Sequence, residues 1–252
     1  MAKGIWQHIS RAWQPAQPLT DRWPAVASGH VGPEGDDALI DSQVLGWELC
    51  QQLREQVRQA GAGGHLPTLL SAAGALAGYA CQAAVRAQAQ GLGVDAAQAL
   101  HETRHPDGNC YVQAQAIDHL LLEDHPSLWS VLAAWARQVG VAREQLPNIG
   151  EMYRHVGRTQ GTVSFGVMRL ADGWHPQQPP QDWPPRLWPL LLPRLESAGL
   201  EPLQWPVAFA LATRQLMVES AAGLPAAIAL RVVMESALPA SRMTLDYRPP
   251  AW

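Results

Sequence analysis

Apolar positions recur at helical spacing along most of this chain. Trp47, Cys50, Leu53 and Val57 repeat every three or four residues, which predicts a helix from Asp41 or Ser42 to Gln59 with those four on its buried stripe. Asp41 or Ser42 can cap its first N–H groups, and the Gly61-Ala62-Gly63-Gly64 run ends it. The next pattern, Leu66 to Gln90, has no charged residue between Leu66 and Val85 and carries Pro67 in its first turn. Ala73, Ala77, Cys81 and Val85 form one row at four-residue steps, and Gly74 with Gly78 forms a second. Small side chains at that spacing admit a second helix at close range, so this is the expected central packing helix. The uncharged stretch reaches the roughly 20 residues that a membrane span needs. Ala, Gly, Ser, Gln and Thr dominate it, however, and they insert weakly. A buried core helix is the expectation.

Helical spacing returns in Pro126–Gln138, where Leu128, Val131, Leu132 and Trp135 share a face, and in Ile149–Val156 behind Asn148 as cap. Trp205–Ser220 and Pro225–Ala237 read as two core helices joined through Gly223, with Pro239 ending the second. Trp183–Leu195 is apolar but holds Pro184, Pro185, Pro189 and Pro193, which predicts a short or kinked helix. One stretch breaks the helical period. In His105-Pro106-Asp107-Gly108-Asn109, Pro presets φ, Asp bonds locally and Gly supplies a positive φ, so Leu100–Arg104 and Cys110–Gln115 should form a hairpin about a turn. Thr162–Leu170 is a strand or an extended connection. Residues 1–38 are broken by Pro and Gly yet carry Ile5, Trp6, Ile9, Trp13 and Trp23. They read as an irregular arm packed on the body or on a partner subunit, ahead of one helical domain over 39–252. The fold class is mainly α: an orthogonal helical bundle with a small β-hairpin.

Composition narrows the partners. Charged residues make up 16% of the 252 residues, against about 25% in ordinary soluble domains. The surface is therefore expected to be rich in Gln, Pro, Ser and Ala, or to be partly covered by another subunit; with the Trp-rich arm this predicts a homodimer. A net charge of −4 without any Lys/Arg run argues against nucleic acid as a partner. Lys3 is the only lysine, and the preference for Arg, Ala, Gly and Pro fits a GC-rich bacterial genome. Cys50, Cys81 and Cys110 form no CxxC or zinc spacing, and the odd count leaves a free thiol. With no apolar leader in residues 1–13, a reducing cytoplasm is expected.

Three groups of residues resemble chemistry. His101-Glu102-Thr103-Arg104-His105 matches HExxH, whose histidines share a zinc ion only when both lie on one helix face. Pro106 pushes His105 out of helical geometry, and Tyr111 stands where the extended motif needs a third ligand. On a strand the two histidines would lie about 13 Å apart. Asp118, His119 and Glu123 bring oxygen and nitrogen ligands to i, i+4 spacing, although Asp124 before His125-Pro126 equally suits the start of the next helix. Arg154, His155 and Arg158 gather cations on one helix and could hold a phosphate or carboxylate. A solvated face paired with Glu144 and Glu151 explains them as well. No metal and no cofactor is assigned.

The blocks Leu69-Leu70-Ser71-Ala72-Ala73-Gly74-Ala75-Leu76-Ala77-Gly78, Ser127-Leu128-Trp129-Ser130, Trp205-Pro206-Val207-Ala208 and Val233-Met234-Glu235-Ser236-Ala237 resemble an uncharacterised family of proteobacterial proteins. The resemblance covers most of the chain after about residue 40, on packing residues. It implies a cytoplasmic, mostly helical protein with no assigned activity. The function expected is that of a non-catalytic cytoplasmic interaction or adaptor protein with a protein partner. The alternative is a metal- or small-ligand-binding protein, or a hydrolase, that uses the His101, His105 and His119 region.

Overall fold

The computed structural model describes residues 33–62 and 64–246, with the backbone alone over 33–40 and at 97–98. In chain order these form α1 (Pro33–Val57), which runs on into a π turn (Arg58–Ala62), α2 (Leu66–Gly91), the short α3 (Ala96–Ala99), β1 (His101–Arg104) and β2 (Cys110–Gln113). Then come α4 (Gln115–Asp118), continued by a π turn (His119–Glu123), α5 (Leu128–Gln138), α6 (Ile149–Thr159), α7 (Trp183–Ser197), α8 (Trp205–Ser220) and α9 (Ala226–Ala240). The fold is mainly α with one small hairpin, as the periodicity predicts. The arm expected over residues 1–38 lies outside the described residues up to 32, and its last residues begin α1.

α2 is the central helix. Every residue from Pro67 to Val85 is buried, against α1, α7, α8 and α9. It is the one helix among the described residues long and apolar enough to cross a membrane, and its apolar 18-residue window is wholly buried inside the protein. Its second small-residue row receives α9: a methyl group at Gly74 would stand 2.9 Å from the Val233 Cα, and one at Gly78 2.7 Å from the Ala237 Cα. Across the same crossing the Ser236 hydroxyl donates to Ser71 at 3.1 Å.

α1 differs from its prediction in two ways. It begins at Pro33, eight or more residues early, where a proline fits the first helical turn. Its buried stripe is Ser42, Leu45, Leu49, Cys50, Leu53 and Val57, while Trp47 is 60% exposed. Cys50, Leu53 and Val57 suit either stripe, and the heavier side chain at 47 pulled the predicted face around the helix. Gly46 marks the real contact, since a methyl there would meet the Ala208 carbonyl at 3.0 Å. Arg54 pairs with Glu219 of α8, and Arg194 of α7 donates from Nε to Glu48 at 2.7 Å.

Prolines shorten the helices less than the sequence predicts. α7 runs for 15 residues with Pro189 and Pro193 inside it. Both are exposed, so the carbonyls that lose their helical donor can turn to water. α9 likewise continues through Pro239 to Ala240. Thr162–Leu170 forms no strand, and it is not extended throughout: residues 162–166 run through consecutive turns, with the Phe165 N–H donating to the Thr162 carbonyl at 3.1 Å and the Val167 N–H to the Ser164 carbonyl at 3.2 Å, and only residues 167–170 run without a turn. The tryptophans contribute to the core as an aromatic cluster: the Trp188 ring lies 4.9 Å from Tyr79, 5.9 Å from Phe209 and 6.3 Å from Trp205.

Candidate functional site

The hairpin pairs His101 with Gln113, Glu102 with Val112, Thr103 with Tyr111 and Arg104 with Cys110. Its turn uses the chemistry read from the sequence. The Asn109 N–H donates to Asp107 Oδ1 at 3.0 Å, and Gly108 takes φ 83°. The HExxH segment is therefore extended. His101 is exposed at the start of β1, Glu102 pairs with Arg86 at 2.7 Å, and His105 enters the turn with its ring 4.8 Å from Tyr111, edge to face. Tyr111 is fully buried, packs on Phe165 at 4.9 Å, and donates its hydroxyl to Asp107 at 2.8 Å. These residues brace the hairpin. Burial works against the Asp107 charge, but the hydrogen bonds from Asn109 and Tyr111 outweigh it and hold that carboxyl below its usual range.

The hairpin also receives the C-terminal segment. The Val112 N–H donates to the Arg242 carbonyl at 2.7 Å, and Tyr111 bridges to Met243. Arg242, 4% exposed, pairs with Asp118 and lies 5.3 Å from the centre of the Tyr153 ring. The Tyr153 hydroxyl donates to the other Asp118 oxygen at 2.9 Å. Asp118, predicted as a ligand-binding residue, thus joins α4, α6 and the tail in one buried ion-paired cluster. Burial opposes the Arg242 charge, but Asp118 more than offsets it and the guanidinium is held above its usual range. Burial also pushes the Tyr153 phenol up to about 12. His119 Nδ1 does stand near Glu123, at 3.2 Å, as the spacing predicts. It also lies 3.5 Å from Asp124, so Asp124 serves His119, and the cap of α5 is Ser127, whose hydroxyl accepts from the Ser130 N–H at 3.1 Å. The Asp124 hydrogen bond raises the His119 pKa, and burial raises that of Glu123. Among the described residues no three His, Cys, Asp or Glu side chains form a metal-ligand set.

Asn148 caps α6 as expected, its Oδ1 accepting from the Glu151 N–H at 3.1 Å. The two arginines and the histidine of α6 do not act together. Arg154 donates to the Gly150 carbonyl, Arg158 is exposed, and His155 turns toward Arg169 and Glu235. Burial, and then Arg169, lower the His155 pKa. Glu151 pairs with Arg169, 18 residues along the chain, at 2.7 Å, rather than with an arginine of its own helix. That hydrogen bond holds the Glu151 carboxyl below its usual range.

A cleft of about 280 Å³ opens beside this pair, between residues 144–148, α6 and the start of α9. Arg169, Arg231, Glu144 and Glu151 supply its charge, and Leu146, Pro147, Met152 and Ile228 its apolar wall. Glu235, 8% exposed, lies behind it, accepting from the Arg169 N–H at 2.5 Å and from Arg231 Nε at 3.2 Å. Sequence reasoning missed this cleft. The available signal was Arg231–Glu235, an i, i+4 pair on an otherwise uncharged core helix.

Fold and geometry together define a mainly α protein in which the candidate ligand-binding residues Tyr111, Asp118, His119 and Glu123 are engaged in contacts within the chain, while His101 and Arg158 are exposed. Comparison with protein-family models, curated proteins and solved structures finds no match.

Proposed function

We propose that this protein is a non-catalytic cytoplasmic interaction protein that associates with a second copy of itself through the outer face of α1. The observation that carries this reading is Trp47, 60% exposed, one turn from Val44 at 57%. Exposed tryptophan is rare away from interfaces, where it is a preferred energetic anchor. Leu190, 58% exposed on α7, extends the face. It stands one turn before Arg194, as Val44 stands one turn before Glu48, and Arg194 pairs with Glu48.

Charge favours a second copy as the occupant. A two-fold contact sets a face against itself and brings like charges together. Around this face the charges are paired within the chain: Glu48 with Arg194, Arg54 with Glu219, and Glu55 with Arg58. These three pairs limit the like-charge repulsion that a two-fold contact would otherwise carry. Three free cysteines, two of them buried, accord with a reducing compartment.

Sedimentation velocity tests the reading. The wild-type protein should be a dimer at micromolar concentration, and Trp47→Glu should weaken association at least tenfold. A wild-type monomer throughout that range removes the proposal.

A further inference from the structure

We propose that the cleft between residues 144–148 and the start of α9 binds a small apolar amino acid, its carboxylate on Arg231 and its ammonium on Glu144. The cleft, at about 280 Å³, is near the lower end of small-ligand pockets, which begin at about 300 Å³. Its composition has the form such pockets take, an apolar wall with a few convergent polar groups.

Two of the charged groups have capacity to spare, one of each sign. Arg231 spends only Nε, on Glu235. Its two terminal nitrogens have no protein partner among the described residues, and a planar fork of that kind suits a carboxylate. Arg169 lines the same cleft but is already engaged, binding Glu151 through Nη1 at 2.7 Å, so Arg231 is the cation left for a ligand. Glu144 is exposed and has no partner among the described residues, so it is available to a cation. A cationic and an anionic group on one lining with Leu146, Pro147 and Ile228 match a zwitterion with an aliphatic side chain. Glu144, Glu151 and Glu235 together disfavour phosphates and nucleotides, whose charge they would repel.

Isothermal titration of the full-length protein tests this. L-Leucine should bind saturably and at least tenfold more tightly than isocaproate, which lacks the ammonium, isoamylamine, which lacks the carboxylate, or inorganic phosphate. Arg231→Gln should weaken leucine binding at least tenfold. Ala227→Trp, which fills the cleft without changing a charge, should do the same with an unchanged circular dichroism spectrum. No saturable binding of leucine, isoleucine, methionine or phenylalanine at millimolar concentration overturns the proposal. So does leucine binding that survives Ala227→Trp, or phosphate binding as tight as leucine. Sedimentation of the same variants stays as wild type, which separates this result from the self-association reading.

Discussion

At the scale of single residues, the glycines of α2 are set by what lies opposite. Gly78 has no room for a methyl group, because the Ala237 backbone occupies its place. Gly78→Ala should therefore force α2 and α9 apart and destabilise the fold by about 1–3 kcal/mol, the usual range for overpacking. Gly157 in α6 faces open space, and Gly157→Ala should stabilise by about 0.4–1 kcal/mol through the unfolded chain. Urea denaturation of the two variants measures both signs. The histidines give a second test. The His119 pKa is raised, so its contribution is fully present below the ordinary value of about 6.5 and is lost as pH rises through the folded value. The His155 pKa is lowered, so His155 opposes folding increasingly as pH falls below about 6.5. His119→Gln should lower the melting temperature more at about pH 5 than at about pH 8, and His155→Gln should do relatively better in acid. NMR titration of the ring signals should place the His119 midpoint above the ordinary value and that of His155 below it.

At the scale of elements, the hairpin and the C-terminal segment form one unit, joined at Val112–Arg242 and Tyr111–Met243. Its lock is the Arg242–Asp118 pair. Removing one partner of a buried pair leaves the other charge uncompensated, at a cost of about 3–5 kcal/mol. Asp118→Asn should approach that loss, since Arg242 is nearly fully buried. Hydrogen exchange should then quicken first at the Val112 amide, which Arg242 holds. The turn itself was legible, because Pro106, Asp107 and Gly108 each act within a few residues. Its docking was not, since Asp118 and Arg242 lie 124 positions apart. The prolines of α7 show the same limit. A proline's local effect opposes a helix, but Pro189 and Pro193 fall on the solvent side while Leu187, Trp188, Leu191 and Leu195 are buried on the other.

At the scale of the whole molecule, Trp47, Val44 and Leu190 leave a large apolar area outside the core. If a second copy covers it, the melting temperature should rise with protein concentration, as mass action requires. In Trp47→Glu that dependence should vanish while the melting temperature at high dilution stays close to wild type, because Trp47 contributes little to the core. Differential scanning fluorimetry across a dilution series measures both.

The amino-acid sequence by itself determined the helical class, the central place of α2, the small-residue row that receives α9, and the turn at Pro106-Asp107-Gly108. Each follows from periodicity or from backbone chemistry within a few residues. Tertiary structure alone decided which side of α1 faces inward, and so that Trp47 points out. It also decided which carboxylate meets which guanidinium. His101 and His105 were rightly read as strand and turn residues, whereas the cleft at Arg169, Arg231 and Glu144 had no motif to announce it. Its groups come from three separate stretches of chain, and Glu235 meets the Arg169 amide across 66 positions. Pairing over such distances depends on how whole helices pack, and no local pattern encodes it.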